Sequence, residues 1–155
     1  MKTAVDVHNY LVARDIPHEL VGTQGRVQDP ERWATVLGLE PEQVGRVMLF
    51  ERADGEGLVA AAVPADREAD PALVASAAGS EVASVSDART TDLTEFFHEA
   101  LPPVGLPDGT LVLLDDQLAS QEVVFLPAGE ATSLLKIRPE DLLRATGGAA
   151  ARLAP

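Results

Sequence analysis

Arg46-Val-Met-Leu-Phe-Glu-Arg52, Ala53-Asp-Gly-Glu-Gly57 and Leu58-Val-Ala-Ala-Ala-Val63 are three consecutive segments whose reading decides the fold. The first carries β-branched and aromatic residues and reads as a strand. The second is turn chemistry, and the third is an apolar run of strand length, so the whole predicts a β-hairpin. Working toward the N-terminus, Glu40-Pro-Glu-Gln-Val44 reads as a short helical turn. Before it, Asp29-Pro30 is a cap and first-turn pair, Trp33, Val36 and Leu37 supply an apolar face, and Gly38 stops the helix after Leu37. Thr3 to Arg14 predicts a first amphipathic helix, with Thr3 as its cap and Val7, Tyr10, Leu11 and Arg14 at helical spacing.

Working toward the C-terminus, Asp70-Pro71 repeats the cap-and-proline start, Leu73, Val74 and Ala77 face inward, and Gly79 ends the helix. Val82 to Val85 predicts a short strand, Ser86 to Ala100 a mostly helical stretch, and Leu101 to Gly109 a loop. Thr110 to Leu114, Glu122 to Leu126 and Thr132 to Ile137 predict three strands joined by polar turns in an antiparallel meander. Pro139 to Ala145 predicts a closing helix stopped by Gly147-Gly148. The expected fold is mixed α+β, with helices inserted between hairpins around a curled, barrel-like sheet. Residues 1–148 form one domain in this reading, and 149–155 a frayed, small-residue tail.

With 155 residues and 46% hydrophobic content, the chain suits one core. No apolar run approaches the roughly 18 residues of a membrane span, and Met1-Lys-Thr-Ala-Val-Asp6 lacks the ordered regions of a secretory signal, so a cytoplasmic location is expected. The absence of cysteine removes disulfides, thiolate zinc sites and cysteine nucleophiles. The net charge of -13 argues against a large phosphate-neutralising surface, and no DNA or membrane partner is expected. The charge is uneven, however. Thr90 to Glu130 holds carboxylates and no Lys or Arg, whereas Arg14, Arg26, Arg32, Arg46 and Arg52 lie early and Lys136, Arg138 and Arg144 late. A local basic face remains open beside the plain reading of a solubilising acidic surface.

Several signatures are missing: a Gly-x-Ser-x-Gly elbow, a phosphate-binding loop ending in Gly-Lys-Ser/Thr, and a Gly-x-Gly-x-x-Gly turn. His98-Glu99 begins like a zinc-protease helix, but the residue four positions on is Pro102, and His8 and His18 lack a second ligand at useful spacing. Neither a metal nor a cofactor is expected. Asp115-Asp116 offers adjacent carboxylates, yet successive strand side chains point to opposite faces, which favours a solvated turn over a cation site.

Four segments in order, Val44 to Phe50, Val63 to Arg67, Leu101 to Leu106 and Ile137 to Leu143, resemble the YbaK/EbsC-type aminoacyl-tRNA editing domain, and are similar also to the editing insertion domain of prolyl-tRNA synthetases. The resemblance spans Leu20 to Thr146. It implies a bacterial, free-standing deacylase that hydrolyses the ester of mischarged tRNA, binding the acceptor end, with an aminoacyl-tRNA synthetase as a further candidate partner. It implies Arg46 and Glu99 as the catalytic positions and Asp66, Pro103, Gly105 and Ser133 as substrate-binding ones.

Two positions depart from the family pattern. A family lysine falls on Arg46, which keeps the charge but is bulkier, planar and unable to act as a neutral base; read without the resemblance, Arg46 is an exposed strand residue paired with Glu42 or Glu51. The glycine of the family's Gly-x-x-x-Pro loop falls on Glu99, or on His98 if Pro102 is the matching proline. Glu99 then reads as an obstructing carboxylate, as a general base if burial raises its pKa, or as a solvated residue at a helix end. Asp70 also matches a family acidic position. The same fold stripped of catalysis, recognising an amino acid, an aminoacyl group or a protein partner, is the alternative reading.

Overall fold

The computed structural model describes residues 1–22 and 30–155. Thr3 caps α1 (Ala4–Ala13) as expected: its side chain accepts the Val5 N–H, and the Asp6 carboxylate accepts the Thr3 N–H. Val7 and Leu11 are fully buried from this helix. β1 (Glu19–Gly22) is a strand that the sequence reading did not include. In α2 (Pro30–Leu37) Ala34 is the buried residue among the described ones, and Val36, read as part of the apolar face, is exposed. The Asp29 cap and the Trp33 side chain lie outside the described residues.

β2 (Gly45–Arg52) and β3 (Leu58–Pro64) form the expected antiparallel hairpin, with Arg46 opposite Val63 and Phe50 opposite Val59. Asp70 caps α3 (Pro71–Ala78), accepting the Ala72 N–H at 2.9 Å, and Gly79 ends it at φ 73°. β4 (Val82–Ser84) then pairs antiparallel with the distal half of β2, at Phe50 to Arg52. α4 (Asp87–Thr94) ends earlier than expected. Thr94 Oγ1 donates to the Thr90 carbonyl at 2.7 Å and accepts the Phe96 N–H at 3.2 Å, which tucks Phe96 into the core and leaves His98–Ala100 as a separate helical turn.

The expected meander is corrected. β5 (Leu111–Asp115) runs parallel to β3, and α5 (Asp116–Ala119) carries the chain to the other sheet before β6 (Val124–Pro127) and β7 (Ser133–Ile137) pair antiparallel. Asp115 is the cause: its side chain caps α5 by accepting the Gln117 N–H at 3.0 Å, and a helix replaces the polar turn. After α6 (Pro139–Thr146), β8 (Ala149–Ala151) pairs parallel with β5. The sheet orders are β4-β2-β3-β5-β8 and β1-β7-β6, joined by a bridge between Val44 and Phe125 and not closed into a barrel.

The hairpin's period-two alternation divides the core. Val47, Leu49, Ala60 and Ala62 face the smaller sheet, meeting Leu126, Leu135 and Ile137 with Val7 and Leu11 of α1. Phe50, Ala61 and Val63 face the other way, onto Val74 of α3 and Leu153.

The frayed tail is likewise corrected. Leu153 is fully buried, and Asp115 Oδ1 accepts the Leu153 and Ala154 N–H groups at 2.8 and 3.2 Å. Gly148 permits the pairing, because a Cβ there would sit 2.1 Å from the Val112 carbonyl oxygen. A small-residue composition suggests fraying, but here small residues let the chain approach a sheet edge closely.

Two outcomes follow from these contacts. Asp115→Ala leaves three backbone N–H groups without their acceptor, and urea unfolding should show a loss of about 3 kcal/mol or more. The second concerns Asp141, which is 3% exposed. Burial disfavours its charge, but hydrogen bonds from Arg138 at 2.9 Å and Arg144 at 3.0 Å outweigh it and hold the carboxyl below its ordinary value. A carboxyl lowered on folding contributes stability that is complete above its unfolded value and is lost as pH falls through the folded one. Denaturation midpoints should therefore decline below about pH 4. Asp141→Asn should flatten that decline and lower stability at neutral pH.

Candidate functional site

β4 covers only the distal half of β2, so the edge of β2 from Arg46 to Leu49 borders a cavity of about 410 Å³. Its walls come from that edge, Glu68 after β3, Ser84 and Val85, Asp87 and Thr90 of α4, the His98–Leu101 segment, and Pro127 at the end of β6. The volume lies within the range typical of small-molecule sites.

Arg46 is the only Lys or Arg among the described lining residues. Its Nε donates to the Ala65 carbonyl at 3.0 Å, and Nη2 donates to the same oxygen. That clamp holds the guanidinium at the cavity wall and leaves the Nη1 donors of the fork free of it. The pairing with Glu42 or Glu51 does not form. Glu51 takes Arg89 instead, at 2.8 Å, and that hydrogen bond holds its carboxyl below the ordinary value. No carboxylate lies within ion-pair distance of Arg46 among the described residues.

The short helical turn after Phe97 supplies a second group. The His98 N–H donates to Thr91 Oγ1 at 3.2 Å, its ring Nδ1 lies 3.5 Å from the same hydroxyl, and Nε2 faces Asp87 Oδ2 at 3.6 Å and Glu99 Oε1 at 3.9 Å. The imidazole is thus held between a hydroxyl and two carboxylates, an arrangement suited to accepting or passing a proton. Among the described residues no group of three or more side chains is placed to hold a metal ion.

Residues 25–145 match the aminoacyl-tRNA editing domain family. The chain belongs to that family. The match falls within the Leu20 to Thr146 span over which the sequence resembles it. Among solved structures, the chain is similar to the hypothetical protein APE2540, at 24% identity and a TM-score of 0.89 over 97% of this chain and 99% of that one. It is similar also to a proposed trans-editing enzyme for prolyl tRNA synthetase, at 22% identity and a TM-score of 0.86 over 100% and 98%. A proposed signal transduction protein from Marinobacter aquaeolei shares the fold over 30% of its length and 97% of this chain, at 16% identity and a TM-score of 0.69. No curated protein matches.

Of the six residues singled out from the sequence, the editing-domain cavity gathers Arg46 and Glu99. Asp66 is exposed and borders a separate recess of about 320 Å³ with Ala34, Thr35 and Leu39; the acidic residue that reaches the cavity is Glu68. The turn closed by the Arg67 N–H on the Pro64 carbonyl at 3.0 Å separates the two. Pro103 is buried and outside the cavity lining, and Gly105, at φ 73°, packs beside Phe96 and its carbonyl accepts Lys2 Nζ at 3.4 Å; Leu101 lines the cavity in their place. Ser133 opens β7 opposite Gly22, away from the cavity.

In the segment where the family glycine is replaced, two amides are bonded internally. The His98 amide is held by Thr91 and the Ala100 amide by the Phe97 carbonyl at 3.0 Å. His98 and Asp87 were missed as partners because one follows a helix and the other begins it, although Asp87 and Thr91 at i and i+4 share a helix face that the sequence does display.

Among the described lining residues, Glu68, Asp87 and Glu99 set three carboxylates against one guanidinium. Glu99→Gly removes one of them. A phosphate-bearing probe such as adenosine monophosphate should then bind several-fold tighter at low ionic strength, with the gain fading in about 0.5 M salt, as a fluorescence or calorimetric titration would show.

Proposed function

We propose that this editing-domain protein is a trans-acting deacylase that hydrolyses the ester between a mischarged amino acid and the terminal ribose of tRNA in the cytoplasm. The observation that carries the reading is Arg46, a cation without a carboxylate partner among the described residues, clamped at the wall of a cavity bordered by an open strand edge. The ester is intrinsically labile, so the site needs to hold it, orient it and deprotonate a water molecule. Water adds to the acyl carbon, the bond to the ribose oxygen breaks, that oxygen takes a proton, and the amino acid leaves as its carboxylate. Arg46 holds the terminal phosphate. His98, backed by Asp87, takes the proton of the attacking water. Glu99 fits the base role less well, since its side chain is 47% exposed. A synthetase that releases the mischarged tRNA is the partner class this reaction implies.

A second reading, a binding module that recognises the aminoacyl end without cleaving it, is favoured by the internally bonded loop around Glu99 and by the net charge of -13.

Release of amino acid from a panel of mischarged tRNAs separates the two. The deacylase reading expects turnover above spontaneous hydrolysis for at least one substrate, a fall in kcat/KM of about tenfold or more in Arg46→Ala from loss of a charge-assisted contact, and substantial retention in Arg46→Lys. Binding without turnover by the native chain supports the second reading. Neither binding nor turnover at low salt removes both.

A further inference from the structure

The hydrogen bonds of β2 show which way each backbone group points. The Ala65 N–H donates to the Val44 carbonyl at 2.8 Å and the Arg52 N–H to the Gly57 carbonyl at 3.0 Å, so even-numbered residues of β2 bond toward β3. The Val85 N–H donates to the Leu49 carbonyl at 3.0 Å, so odd-numbered residues bond toward β4. Pro64 agrees with this parity, since it lies opposite Gly45 at a position where β3 has no N–H to give. Val47 therefore directs both its N–H and its C=O at the cavity.

The register names what would stand opposite. Phe50 faces Ser84 and Glu51 faces Ala83, so a longer β4 would bring Asp87 opposite Val47. The chain does not continue as strand: Ser86 caps α4, its hydroxyl accepting the Arg89 N–H at 3.3 Å. Toward the start of β2, Val44 is bridged to Phe125. The rung at Val47 is left without a strand partner among the described residues, between two rungs that have one.

We propose that this rung binds the aminoacyl group by backbone pairing, with Val47 as a specificity-determining residue of the cavity; the inference rests on the deacylase reading above. In an antiparallel pair two residues exchange both backbone bonds, N–H to C=O and C=O to N–H. An esterified amino acid carries the same two groups on one residue. Its α-ammonium donates to the Val47 carbonyl, and its acyl oxygen accepts the Val47 N–H. The carboxylates of Asp87, Glu99 and Glu68 around the cavity favour the ammonium. Selection acts on the free α-amino group, independently of the side chain of the amino acid.

The test uses the full ¹⁵N-labelled chain and stable 3′-aminoacylamino-3′-deoxyadenosines with side chains from small to large, each compared with its α-hydroxyacyl counterpart. The free-amine compounds should bind about tenfold or more tightly than the hydroxy ones, as expected for a hydrogen bond involving a charged donor. The Val47 amide should show the largest shift along β2. Equal binding of the two series, or binding that leaves the Val47 amide unmoved while Arg46 and His98 respond, overturns the pairing and leaves the deacylase reading standing. If no compound binds, the deacylase reading fails and the pairing with it.

Discussion

The register of the β2–β3 hairpin is the constraint on which the rest of the molecule depends. The Val44–Ala65 and Arg52–Gly57 hydrogen bonds fix it at its two ends. A slip of one residue would send Val47 and Leu49 out of the main core and bring Met48 and Phe50 into it, because strand side chains alternate faces. The same slip would turn the Val47 backbone groups into the hairpin and away from the cavity. Core and site are therefore set by one choice of pairing. The fully buried Ala60, Ala61 and Ala62 of β3 match it, being small enough for β3 to be covered on both faces.

Among the described residues, the electrostatics of the cavity are a contest between one held cation and three carboxylates. Arg46 spends two of its donors on the Ala65 carbonyl, which fixes the fork at the cost of contacts it would otherwise offer. An acidic cavity is poorly matched to a phosphate chain and better matched to an ammonium group, so the charges favour the aminoacyl end of the substrate over the nucleotide backbone.

Much of the architecture was legible in the sequence, where local signals are strong. Thr3, Asp70 and Gly79 mark helix ends by cap chemistry that depends on near neighbours, and the hairpin is declared by its own turn. What was not legible depends on distant partners. Leu111 to Leu114 is apolar throughout, a pattern that gives no orientation, and only its burial between β3 and β8 makes it a parallel strand. Asp115 looked like a turn residue because its acceptors' partners, Leu153 and Ala154, lie nearly forty residues away. Of the residues singled out from the order of motifs, Arg46 and Glu99 line the cavity, while Asp66, Pro103, Gly105 and Ser133 fall elsewhere, since sequence order does not say which way a turn swings. His98 entered the sequence reading only as a failed zinc-helix start and as an alternative glycine register; its meaning comes from Thr91 and Asp87.

The central claim is that the cavity beside β2 receives the aminoacyl end of tRNA. Hydrogen–deuterium exchange of the chain with and without an excess of mischarged tRNA tests it most directly. The account predicts slower exchange confined to segments that line the cavity, Arg46 to Leu49 and Ser84 to Leu101. Protection elsewhere, with those two segments exchanging as in the free chain, would contradict it.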